Sequence, residues 1–324
     1  MAKQDTHWTA AQIPDQTGRR ALITGANSGI GYPTARELAR AGATVILACR
    51  DRKKGESAVA LLKGEVPKAK LELAILDLAS LESIRHFAAT ELARNLPLDL
   101  LINNAGVMAP PKRLETADGF ELQFGTNVLG HFALTALLFP ALERAAAQAS
   151  PAPSGPAPRI VMVASIAHKR GRLHFDDLQS TQSYSPNSSY AQTKLADLML
   201  ALELDRRLRA TGSRILANAA HPGVANTNLF QVGDFNPAER TLRRWVGHLI
   251  GLLLNSDAEG ALPTLYAATA STAQPGGYYG PQGLLEARGG DVGPARIYPQ
   301  ATPQTHATHL WTICEQLTGT RLLS

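Results

Sequence analysis

The chain has 324 residues, 44% of them hydrophobic and 18% charged, with a formal net charge of +5. That balance excludes a disordered chain and fits a soluble globular fold with a large core. The basic excess forms no long Lys/Arg run, which argues against nucleic acid as a partner. Cys49 and Cys314 make neither a metal-ligand pattern nor a disulfide framework.

Residues 1–17 contain no apolar run and read as an N-terminal arm, neither signal peptide nor anchor. Beyond them, short apolar runs alternate with segments of helical spacing. The runs at 21–24, 44–49, 71–78, 98–103, 159–165 and 214–220 read as buried strands, and 30–41, 52–63, 80–94, 119–145 and 189–210 as helices. This alternation predicts one α/β domain, a doubly wound parallel sheet of the Rossmann type covered on both faces. The Pro-rich stretch 145–159 reads as a surface loop within that domain. After 224 the pattern loosens, through a GGYYG turn at 276–280. Residues 224–256 are expected to form a variable substrate lid, with Phe230, Phe235 and Trp245 suiting a bulky hydrophobic ligand or simply burying the lid. Residues 285–324 form a C-terminal extension. LIGLLL at 249–254 is far too short for a membrane span, so a cytoplasmic protein is expected.

The first strand runs into Thr24-Gly25-Ala26-Asn27-Ser28-Gly29-Ile30-Gly31. Gly25 and Gly29 would let the backbone bend close to a pyrophosphate, and Gly31 would let the following helix pack tightly. The helix start then offers free N–H groups to phosphate. Gly25, Asn27, Ser28, Gly29, Ile30 and Gly31 are therefore candidate cofactor contacts. At the end of the second strand, Arg50 stands where a guanidinium would accept a 2′-phosphate and favour NADP(H). Asp51 follows at once, and a register one residue off would favour NAD instead.

Tyr190 and Lys194 are one helical turn apart and face the same side. An ammonium beside a phenol stabilises the phenolate, so the Tyr can pass a proton to or from a carbonyl oxygen. Ser165, at the end of the fifth strand, is placed to hold that oxygen. Asn127 lies in an apolar helical stretch, where its amide either orders a water behind Lys194 or is a satisfied core group. Tyr184 competes as the proton donor, but Ser188 rather than a Lys follows four residues later.

In this order TGANSGIG (24–31), LDL (76–78), NNAG (103–106), Asn127, Ser165, Tyr190-x-x-x-Lys194 and HPG (221–223) resemble the short-chain dehydrogenase/reductase superfamily over about residues 18–285. ACRDRKKGE (48–56), AHKRG (167–171), DDL (176–178) and GGYYG point to its retinol-dehydrogenase-like and protochlorophyllide-reductase-like branch. The missing cysteine cluster speaks against light-driven chemistry. The resemblance implies that Ser165, Tyr190 and Lys194 are catalytic and that Asn127 completes a proton relay. It also implies Asp77 and Leu78 at the adenine, Asn104, Ala105 and Gly106 along the cofactor, and Pro222, Gly223 and Thr227 near the nicotinamide. The expected activity is NADP(H)-dependent interconversion of a ketone or aldehyde and an alcohol, in the reducing direction. A silent NADP-sensing regulator, or lyase or epimerase chemistry on the same fold, are the alternatives. Apolar faces such as Leu195, Leu198, Met199 and Leu202 leave a homodimer or homotetramer open.

Overall fold

The structure, a computed structural model, describes residues 7–149, 156–224, 255–289 and 291–323. Its strands are β1 (Arg20–Thr24), β2 (Thr44–Cys49), β3 (Lys70–Ile75), β4 (Leu100–Asn103), β5 (Arg159–Val163), β6 (Leu216–Ala220), β7 (Tyr278–Pro281) and β8 (Val292–Pro294). They form one sheet in the order β3-β2-β1-β4-β5-β6-β7-β8. Every neighbouring pair is parallel except β7 with β8. β1, β4 and β5 are buried at every position, which is why they appear in the sequence as unbroken apolar runs.

The helices are α1 (Gly31–Arg40), α2 (Arg52–Glu65), α3 (Leu81–Ala93), α4 (Gly130–Gln148), α5 (Pro186–Ala210), α6 (Asp257–Thr269) and α7 (Gln304–Thr318). One core joins the sheet to α3, α4, α5 and α7, through residues such as Phe87, Leu134, Leu198 and Trp311. A second joins it to α1, α2 and α6, through Leu38, Leu62 and Leu265. This is the doubly wound arrangement expected. The order of strands reverses at β1, between β4 and β2, and in such sheets ligands bind outside the strand ends at that point.

Three details differ from the sequence reading. The helix expected over 119–145 begins instead with a π-helical turn, Phe124–Leu129, and continues as α4 to Gln148. GGYYG is a turn only at its start, where Gly276 has φ 72° and Gly277 N donates to the Gln274 carbonyl: Tyr278 already starts β7, which extends the parallel sheet beside β6. The C-terminal extension is part of the core, because α7 buries Leu310, Trp311 and Cys314 against the α4 and α5 side. Trp311 meets Phe132 edge-on at 5.0 Å, and the Arg207 guanidinium lies 4.5 Å from its ring. Leu195, Leu198 and Met199 are likewise buried within the chain's own core.

Candidate active site

Between Thr24 and Gly31 the backbone takes positive φ at Gly25 (67°) and Gly29 (52°), a region costly for side chains. Gly31 is required for space rather than torsion: a Cβ there would lie 2.4 Å from the Gly25 carbonyl oxygen. α1 starts at Ile30 with no side-chain cap and no acid in its first turn, so no group of its own offsets its positive end. The loop opens onto a cleft of about 280 Å³ at the strand-order switch. Of the candidate cofactor contacts, Gly25, Asn27, Ser28, Gly29, Ile30, Arg50, Asp77, Leu78, Asn104, Ala105 and Gly106 line it. Thr24, the first residue of the loop motif, and Lys54, one of the basic residues that follow Arg50, line it as well; Cys49, Val107 and Thr126 also line it and were not foreseen.

Pro222 and Gly223 lie apart from that cleft, just past β6. There Gly223 has φ 71° and a Cβ would press to 2.5 Å from the Ala287 carbonyl oxygen. Thr227 lies outside the described residues, as does most of the expected lid at 224–256. At the other end of the cleft, the Asp51 carboxylate accepts from Lys54 N at 3.0 Å and caps α2. Arg50 is exposed at the cleft and forms no ion pair among the described residues. A glycine cradle at an uncapped helix start, with cationic groups at the far end, fits a dinucleotide phosphate ligand.

Thr24 ties this cleft together. Its Oγ1 accepts from Asn104 N and Ala105 N, each at 2.9 Å, and lies 2.9 Å from His131 Nε2. His131 Nδ1 faces the Asn127 carbonyl at 2.9 Å and must be the protonated nitrogen, since a carbonyl only accepts. Nε2 is then the acceptor, and Thr24 donates its hydroxyl proton to it. Burial, with Lys194 adding, pushes His131 down to about 3 and keeps it neutral. The Asn104 amide donates to the Thr24 carbonyl at 2.8 Å, so its side chain holds the loop while its backbone faces the cleft.

Ser165 follows β5 by two residues and caps a 3-10 turn, Ile166–Arg170, by accepting from Ala167 N. That turn ends at Gly171, which packs directly on α5: a Cβ there would sit 2.4 Å from the Ala191 carbonyl oxygen. The absent side chain thus lets the Ser165 segment close on the helix turn that carries Tyr190. Tyr190 and Ser165 are half-buried, whereas Lys194 and Asn127 are buried behind them. Lys194 Nζ lies 6.0 Å from the centre of the Tyr190 ring and donates to the Val163 carbonyl at the end of β5, at 2.8 Å. Gly106 lies against both hidden groups, since a Cβ there would be 3.3 Å from Asn127 Oδ1 and 3.9 Å from Lys194 Nζ.

The Asn127 amide takes the Val107 N–H at 2.8 Å and donates to the Val107 carbonyl and to Thr193 Oγ1. It is a satisfied core amide that joins the NNAG turn to α5, and it supplies no free donor to a water. The Tyr184 hydroxyl is engaged elsewhere, donating to the Pro110 carbonyl at 2.7 Å and accepting from Gln123. Burial and then Glu121 push its phenol up to about 12. Sequence reasoning missed one charged member. Asp197 Oδ2 receives a hydrogen bond from Lys194 Nζ at 2.8 Å, and both side chains are at most 5% exposed.

The sequence profile of the short chain dehydrogenases matches residues 19–234. The chain is 44% identical to the polyprenol dehydrogenase of Mus musculus over 258 residues, covering 80% of this chain and 73% of that one. It is 41% identical to retinol dehydrogenase 13 of Homo sapiens over 311 residues, covering 95% and 86%. A solved structure from Mycobacterium paratuberculosis superposes with a TM-score of 0.75 at 40% identity, covering 97% of this chain and 98% of that one. The relatives named for polyprenol and retinol overturn the expected cytoplasmic placement, because such isoprenoid alcohols partition into membranes and not into water. Among the described residues one stretch, Phe124–Gln148, is also long and apolar enough to cross a membrane, with 83% of its most apolar window buried inside the fold.

Proposed function

The chain belongs to the short-chain dehydrogenase family and is an oxidoreductase of alcohol and carbonyl groups, and we propose that it uses NADP(H) to reduce a bulky apolar ketone or aldehyde. The observation that carries the reading is the placement of Lys194, pinned to the end of β5 two residues before Ser165 and one helical turn below Tyr190. Bound in the cleft, the nicotinamide supplies the hydride. The Gly25–Gly31 loop, Asp77, Leu78 and the Asn104–Gly106 turn hold the dinucleotide, and Arg50 with Lys54 receives its 2′-phosphate. Pro222 and Gly223, just past β6, would meet the nicotinamide end.

In this mechanism the Ser165 hydroxyl donates to the substrate oxygen and orients it. Tyr190 gives its phenolic proton to that oxygen as negative charge develops there. The Lys194 ammonium stabilises the phenolate left behind. Asn127 keeps Val107 and Thr193 in register, so that cleft floor and helix move as one body. The names of the relatives support an isoprenoid-sized substrate.

The test is a panel of isoprenoid aldehydes and ketones assayed with NADPH and NADH side by side. NADPH is expected to be consumed in proportion to product. Tyr190→Phe is expected to lower turnover by about 10²-fold or more while leaving NADPH affinity within a factor of about two. A Tyr190→Phe variant with near wild-type turnover, or a preference for NADH, refutes the reading.

A further inference from the structure

Tyr190, Lys194 and Asp197 stand at positions i, i+4 and i+7 of α5, which places them along one face over two turns. Lys194 Nζ has two acceptors, the Val163 carbonyl and Asp197 Oδ2, each at 2.8 Å. The Lys194 and Asp197 side chains are 5% and 2% exposed. The second carboxylate oxygen, Asp197 Oδ1, is buried with no hydrogen-bond partner among the described residues. Such a group is expensive to keep: apolar residues of the same volume usually serve stability as well as a buried ion pair or better. A carboxylate retained at that cost calls for a use other than packing.

Its surroundings narrow that use. From α4, the nearby titratable group is His131, held neutral by burial. From α7 it is Cys314, whose thiol is raised by burial first and then by the charges of Asp197 and Glu315. From β5 only the Val163 carbonyl reaches Lys194. Asp197 is therefore the one anion in ion-pair contact with Lys194 among the described residues. Burial by itself would pull the Lys194 ammonium down, but Asp197 and then Tyr190 outweigh it and hold it above the ordinary lysine value. Burial pushes the Asp197 carboxyl up against the pull of Lys194, and the 2.8 Å hydrogen bond from Lys194 Nζ favours its carboxylate form.

We propose that Asp197 is the positioning residue of this site: its carboxylate holds Lys194 as a cation against the Val163 carbonyl and so maintains a positive charge beside the phenol of Tyr190. Without it, an amine this deeply buried keeps only a neutral carbonyl as partner and gives up its proton to escape desolvation. The phenol then loses the field that makes proton transfer favourable. The inference rests on Tyr190 being the proton donor.

The experiment uses the full chain labelled with ¹³Cε-lysine and no cofactor, with the Lys194 signal identified by its loss in Lys194→Met. In Asp197→Asn, Lys194 is expected to deprotonate at least about tenfold more readily than in the wild type, and Asp197→Glu restores most of the difference. In assays with NADPH, the high-pH limb of kcat is expected to move down with the Lys194 titration in Asp197→Asn and to return in Asp197→Glu. A folded Asp197→Asn whose Lys194 titrates as in the wild type overturns the proposal. If that variant does not fold, the wild type decides: Lys194 must remain charged beyond the ordinary lysine range, and earlier deprotonation overturns the proposal. Failure of the enzymatic reading shows separately, as a Tyr190→Phe variant that still turns over.

Discussion

Replacing Thr24 by Val keeps the shape of a side chain 1% exposed and removes one oxygen. That oxygen makes three short hydrogen bonds: it receives Asn104 N–H and Ala105 N–H and donates to His131 Nε2, all at 2.9 Å. Asn104 N–H keeps a second acceptor, the Ile102 carbonyl at 3.0 Å, so Ala105 N–H and His131 Nε2 are the groups left without a partner. A buried polar group left without its partner costs about 1–3 kcal/mol, so two of them imply a loss of roughly 2–6 kcal/mol. The damage is local as well as global, because Asn104 and Ala105 line the cleft and Gly25 packs on Ala105. Urea unfolding should show the lost stability as a lower midpoint at an unchanged slope. Fluorescence titration should show weakened NADPH binding. Thr24→Ser is the control, since it retains the hydroxyl and gives up a methyl group, for a loss of about 1 kcal/mol. Equal midpoints for Thr24→Val and Thr24→Ser would mean that the hydroxyl is not the tie described.

Gly31→Ala drives a Cβ to 2.4 Å from the Gly25 carbonyl oxygen and 2.7 Å from Asn104 Nδ2, and backbone cannot step aside as a flexible side chain does. It should cost about 1–3 kcal/mol and most of the dinucleotide affinity, and wild-type values for both would show the loop to be looser than described. Arg50→Gln should reduce the kcat/KM preference for NADPH over NADH by about tenfold or more, the worth of a charge-assisted hydrogen bond, with little change for NADH; an unchanged ratio would assign the 2′-phosphate elsewhere. Stability should also depend on pH. Burial pushes His131 and His221 down to about 3 from 6.5, and His168 is lowered as well. The unfolded chain binds more protons between those values, so this stability is complete above about 6.5 and is lost as pH falls toward 3, by about 1.4 kcal/mol per unit for each of His131 and His221, with His168 adding in the same direction. Asp197, raised to about 6 from 3.8, opposes part of that slope between those two values. Urea midpoints that stay flat from pH 7 to 5 would contradict the burial of these rings.

How much of this was visible in advance depends on the range of the signal. Short-range signals were legible. The strands β1, β2, β4 and β5 are buried on both faces, so each appears as a continuous apolar run, and the glycines of the first loop announce a turn that side chains resist. Tyr190 and Lys194 are neighbours because a helix returns to the same face after about four residues, whatever surrounds it. β7 escaped notice because four residues with a central glycine and a terminal proline carry little strand signal, and it forms only because β6 offers a parallel edge.

What the amino-acid order determined by itself was therefore the local frame: a doubly wound sheet, a glycine turn after its first strand, and a phenol and an amine one helical turn apart. Tertiary structure alone decided which distant groups meet them. Thr24 and His131 are 107 positions apart, and Lys194 reaches Val163 across 31. Asp197 follows Lys194 closely in sequence, yet only the packing of α4, α5 and α7 over β5 removes water from the pair. A charge, a hydroxyl or an amide carries no periodic mark of its partner. Its partner and its protonation follow from the desolvation that packing imposes, and the linear sequence does not contain that quantity.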